Sequence, residues 1–205
     1  MNSERRPSKV AGFVILLCAF GFLGIRFLRK SPLLDVAQKA TLGMLHGDGQ
    51  AIFETSSTFE RECSNLSPNM IDEAWRILVG PHLEGSKVVS IESPEMSSNE
   101  VQASSQVNLE NPQGISWGIA MISNKTDSGA ASQIVFAMLD VAGRFDRNGR
   151  VIEMTPRSQL EAFRSKRKEL EAAGLKSILL RPGTCLSLDE LDALLAKHVE
   201  PSLNL

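Results

Sequence analysis

The 205-residue chain has no tyrosine, only two tryptophans and three histidines, and aromatics make up 5% of it. Without a phenol, no tyrosine hydroxyl can serve an oxyanion hole, so that kind of acid–base site is excluded. A glycine-rich phosphate loop, a nucleophile elbow and a His-Glu-x-x-His helix are also missing. No Cys-x-x-Cys pair or His-rich spacing suggests zinc, so neither a metal nor another cofactor is expected. Asp146-Arg-Asn-Gly149 leaves the other ligand positions of a calcium loop unfilled and reads as a hairpin. There is no internal repeat and no heptad run.

One long apolar run is present. Val10 to Ile25 holds sixteen residues without a charge. A membrane-spanning helix needs about 20 apolar residues, so the span is reached only by counting 10–28, with the Arg26 head snorkelling to the interface. A cleavable signal peptide and a buried core helix are the competing readings. The reading adopted is a tail (1–9), a transmembrane anchor (10–28), an α+β domain (31–155) and a helical C-terminal extension (156–205). Membrane lipid is then a partner through residues 10–28. The flanking Lys and Arg tie in number, and a short tail favours the remainder lying outside the cytoplasm, periplasmic or extracellular.

Charge divides sharply. Residues 1–30 carry six Lys/Arg against Glu4, net +5, and the remaining residues carry 16 basic against 23 acidic side chains, net −7. An acidic domain argues against nucleic acid as a partner. A protein partner or a second copy of the chain stays open. With Cys18 inside the apolar run, Cys63 and Cys185 are either a candidate disulfide or two unrelated thiols.

Periodicity predicts three helices first. Ser31-Pro32 and Ser67-Pro68 are start signals, and Gly47-Asp-Gly49 and Gly80-Pro81 are stops; a short helix from Gln50 to about Ser57 lies between. The period then changes to two. Strands are expected over 87–92, 101–109, 115–123, 133–142 and 151–154, joined by turns that include Asn148-Gly149. Thr155-Pro156 opens a helix to about Ala173. Ile178 to Leu180 is a short apolar run, and Ser187-Leu-Asp-Glu190 is a capping box before a leucine stripe. Helices followed by short-turn strands indicate an α+β fold, with three helices packed on a curved antiparallel sheet.

This order, the stretch His46-Gly-Asp-Gly-Gln50 and the stretch Gly143-Arg-Phe-Asp-Arg-Asn-Gly-Arg-Val-Ile-Glu153 resemble the nuclear-transport-factor-two-like superfamily, the cystatin-like α+β cone with its SnoaL-like members. The resemblance covers about 33–155. It implies a pocket on the concave sheet face. It also fits membrane-anchored members that serve as assembly factors, and so a non-catalytic binding or assembly module. The alternative is a small-molecule enzyme of isomerase, cyclase or dehydratase type.

For that enzyme the candidate acid–base residues are Asp140, His46 and His82. Asp140 is the carboxylate within the apolar 133–142 run, either a base in the pocket or a solvent-facing partner of Arg144. His46 lies at a helix end, where the dipole alone can explain it, and His82 follows a helix stop. Arg164, Lys166, Arg167 and Lys168 form the one basic cluster beyond residue 30. They are either an interaction surface for anionic headgroups or an acidic partner, or a solvated helix face balanced by Glu161, Glu169 and Glu171.

Overall fold

The computed structural model describes residues 31–127, 129–181 and 183–199. Among the described residues five helices, not three, precede the first strand. Helix α1 (Pro32–His46) begins at the Ser-Pro pair and ends at Gly47, whose φ of +67° is the left-handed conformation glycine adopts freely. Asp48 caps α2 (Gly49–Thr55) by accepting from the Ala51 N–H at 2.9 Å. The His46–Gln50 stretch is therefore a helix–helix corner. Ser57 caps α3 (Thr58–Ser64), and Ser67 caps α4 (Pro68–Leu78). A single turn, α5 (Gly80–Leu83), follows. The two unforeseen helices, of 7 and 4 residues, are too short for a 3.6-residue period to be read.

Strands β1 (Lys87–Ile91), β2 (Glu95–Met96), β3 (Gln102–Glu110), β4 (Ser116–Thr126) and β5 (Gly129–Ser132) form one antiparallel sheet. Its order is β1-β3-β4-β5, with β2 also on β3. Val107 pairs with Ile119 and Leu109 with Trp117, and all four are buried. The opposite face is polar and wet: Gln102 Nε2 donates to Asn124 at 2.8 Å, and Asn108 Nδ2 to Glu92 at 2.7 Å. Helix α1 lies on the buried face against β3, β4 and β5. Thr41 Oγ1 sits at this contact, its one proton shared between the Ala37 carbonyl of α1 at 2.9 Å and the Ser105 carbonyl of β3 at 3.2 Å.

The expected strand over 133–142 is a helix, α6 (Val135–Ala142). Its residues are apolar nearly all round, so periodicity cannot separate a buried strand from a buried helix. What decides is a cap from elsewhere. Glu60 on α3 accepts from the N–H groups of Ile134 and Val135 at 2.8 and 3.2 Å, satisfying donors that a helix start otherwise leaves orphaned. The strand expected over 151–154 also fails to form. Only an isolated bridge, Phe145 to Val151, closes the Asp146–Gly149 turn.

The C-terminal residues are not helical throughout. Helix α7 (Pro156–Ala172) starts with a reciprocal Thr155–Ser158 box. A two-stranded sheet of β6 (Ser177–Arg181) and β7 (Thr184–Ser187) follows, then α8 (Leu188–Val199). Phe163, Leu170, Ile178, Leu188 and Leu191 share one core with Ile71, Leu78, Met138 and Ile119. Cys63 on α3 and Cys185 on β7 are joined in a disulfide with Cα atoms 5.8 Å apart.

Among the described residues no helix is long and apolar enough to cross a membrane; the longest, α7, has 17 residues and a charged face. The expected anchor, 10–28, lies outside the described residues. A single-pass plan, lipid as a partner and a membrane location therefore have no structural basis. The architecture that stands is α+β: eight helices with a five-stranded and a two-stranded sheet among the described residues.

Candidate functional site

The three expected acid–base residues lie on separate elements and do not meet. His46 is exposed at the end of α1 and lines a shallow depression with Lys39 and Asp48. Asp140 sits on α6, not on a sheet face, and accepts from Gln159 Nε2 of α7 at 2.5 Å. Burial raises its pKa, against the opposing pull of that hydrogen bond and of Arg144. Asp140 thus ties two helices together. His82 alone opens onto a sizeable cleft.

That cleft, about 440 Å³, lies between α5, α7 and the 143–152 loop. Pro81, which fixes the first turn of α5, sets His82 at its wall. The imidazole stacks on Phe145 with ring centroids 3.9 Å apart and planes 6° from parallel. Phe145 in turn meets Trp117 edge-on at 5.1 Å, which anchors the stack to β4. Ile77 and Ala142 supply further apolar wall, while Arg147, Glu161 and Lys166 supply charge.

Burial, then the nearby Lys166 charge, push the His82 pKa down to about 4. The ring is therefore neutral at pH 7, with one nitrogen donating and one accepting. Among the described residues neither ring nitrogen has a hydrogen-bond partner; Ser86 Oγ donates to the His82 carbonyl, not to the ring. Lys166 makes only a long contact to Glu169, at 3.4 Å.

The rest of the basic cluster is already engaged. Arg164 donates from Nε to both Asp192 oxygens at 3.0 Å, and Arg167 reaches Glu171 at 2.7 Å and Asp189 at 2.6 Å. The Asp192 and Asp189 pairs pin α7 to α8, while the Glu171 pair lies within α7. Lys168 is exposed beside them. The structure thus separates one cluster into two arginines holding a helix pair and one lysine on a cleft wall.

A larger cleft, about 600 Å³, opens by the start of α3, near Phe59 and Lys125. Much of its polar lining is spoken for. Ser57 Oγ caps α3, Ser132 pairs with Ser123, and Gln133 Nε2 donates to the Leu180 carbonyl at 3.0 Å. Contrary to the absence expected above, Gly114-Ile-Ser-Trp-Gly118 has the G-x-S-x-G spacing of a nucleophile elbow. It runs from a hairpin turn into β4, not from a strand into a helix, so Ser116 is not presented as a nucleophile. Among the described residues no three metal-ligating side chains gather.

The site residue that sequence reasoning did not reach is Phe145, whose ring position depends on the loop after α6. Its signal, an aromatic before an Asn-Gly turn, is present but does not say which histidine it will cover.

No family model, curated protein or solved structure matches the chain. The resemblance to the nuclear-transport-factor-two-like superfamily is accordingly withdrawn. Two of the strands that it called for, including the one carrying Asp140, are absent.

Proposed function

We propose that the His82 cleft is the active site of a small-molecule enzyme that works by proton transfer, with His82 as the acid–base group. The substrate class that fits is a compact organic anion: an apolar body against Phe145, Ile77 and Ala142, and a carboxylate or similar group toward Lys166 and Arg147. The observation that carries the reading is the half-buried, unpartnered imidazole stacked on Phe145 in a cleft that also holds a lysine whose one ion pair, to Glu169, is long at 3.4 Å.

The free imidazole is a poor base at neutral pH, because its pKa of about 4 is far below the operating range. An anion seated on Lys166 changes this. It offsets the smaller of the two causes of the depression and so raises the pKa of His82. The site is then more basic with substrate bound than without it. Isomerisation, cyclisation and dehydration are the reaction types such a single acid–base group can serve.

The test is an NMR titration of the imidazole carbons, with His82→Gln assigning the signal among three histidines. His82 should titrate near pH 4 alone and higher in the presence of small aromatic or branched carboxylates. An ordinary titration near pH 6.5 that no carboxylate moves would sink the proposal.

A further inference from the structure

We propose that the free edge of β1 pairs with the same edge of a second copy of the chain, joining two five-stranded sheets across a two-fold axis. Strand β1 ends the sheet order, with only β3 as its partner among the described residues. All five of its residues are exposed, including three large apolar ones: Val88 at 49%, Val89 at 62% and Ile91 at 48%. An open, apolar edge is a template for another strand.

What singles out a second copy is the order of side chains. Lys87-Val-Val-Ser-Ile-Glu92 is complementary to itself when reversed. A two-fold axis between Val89 and Ser90 sets Lys87 against Glu92 and Val88 against Ile91 at both ends of the joint. Edge strands are usually guarded by charged side chains, by proline or by a bulge; β1 has such an irregularity at Val89, and the two-fold axis beside it gives both copies the same one. Here the two charges flanking the apolar residues are opposite in sign, and proline enters only at Pro94, past the strand. Self-pairing therefore satisfies the charges that would repel a mismatched strand.

The faces agree as well. Val88 lies opposite the buried Leu109 and Ile91 opposite the buried Val107, because the irregularity at Val89 brings both to the helix-covered side. A two-fold axis perpendicular to the sheet keeps that side common to both copies. Four exposed side chains, Val88 and Ile91 from each copy, then cover one another.

Sedimentation of the full chain tests this. The wild-type chain should be dimeric, and Lys87→Glu and Glu92→Lys should each weaken self-association about tenfold by placing like charges together at both ends. An equimolar mixture of the two variants should recover the dimer, since each then faces its complement. That recovery also shows that both variants fold. A monomeric wild-type chain, association insensitive to Lys87→Glu, or a mixture no stronger than its components would each overturn the proposal.

Discussion

Helix α6 has two ends, and the same physical cause acts on a titratable group at each with opposite results for function. At its start, Glu60 is wholly buried, and burial raises its pKa to about 7 against two backbone hydrogen bonds and the Arg61 charge. Beyond its other end, where the chain turns through Phe145, burial lowers His82 to about 4. Both groups are driven toward their neutral forms. Glu60 spends one oxygen on the backbone of α6, and its other oxygen is enclosed without a partner among the described residues. His82 lines a cleft, and neither of its ring nitrogens has a hydrogen-bond partner among the described residues. Burial alone therefore does not mark a functional site; burial with uncommitted atoms and room beside them does.

The contrast can be broken at its structural end first. Cys63 follows Glu60 by one turn on α3, and its bond to Cys185 spans 122 residues. Replacing both cysteines by serine should cost about 5 kcal/mol, by the loop-entropy account of cross-links, read as a lower denaturant midpoint. The His82 titration should stay where it was. Next, Glu60→Ala strips the cap from α6 and leaves two buried N–H groups orphaned. A loss of about 3 kcal/mol is expected, and amide exchange should quicken first at Ile134 and Val135.

Stability against pH sharpens the comparison further, because the two groups pull oppositely. The raised pKa of Glu60 gives stability that is full below about pH 4.5 and is lost as pH climbs through about 7. Its size is on the order of 3 kcal/mol. The depressed pKa of His82 gives stability that is full above about pH 6.5 and is lost as pH falls through about 4. Solvent reaching the half-buried ring reduces that share to about 1–2 kcal/mol. The wild-type profile should thus be shallow between pH 4.5 and 6.5, the stretch where the two opposing windows overlap. Glu60→Gln should expose a rise with pH, and His82→Gln a steeper fall. A parallel profile in all three proteins would contradict the assignment.

The mildest change is Lys166→Met. It leaves the fold within about 0.5 kcal/mol, as a surface substitution does. It should nevertheless raise the His82 pKa and weaken carboxylate binding in the same cleft.

Local signals carried part of this architecture. Ser67-Pro68 and Thr155-Pro156 start α4 and α7 where capping chemistry says they should. The alternation of Ala103, Ser105, Val107 and Leu109 marks the buried face of β3. Helix α6 was illegible because its cap arrives from a residue 74 positions away. Asp140 misled for the same reason: on a strand it would face a pocket, and on a helix it faces Gln159. The cleft could not be read either, since His82, Phe145 and Lys166 come from three elements brought together only by packing. Nor does a run of basic residues reveal that Asp192 and Asp189 on α8 neutralise its arginines.

The bond between Cys63 and Cys185 also makes a covalent ring of the chain between them. That ring includes the exposed Arg147–Arg150 turn at the rim of the His82 cleft. A protease that cuts there leaves the piece holding Cys63 tethered to the piece holding Cys185. Cleaved protein should migrate as one species until a reductant is added and as two afterwards. The cleft's own loop can thus be opened without the molecule coming apart.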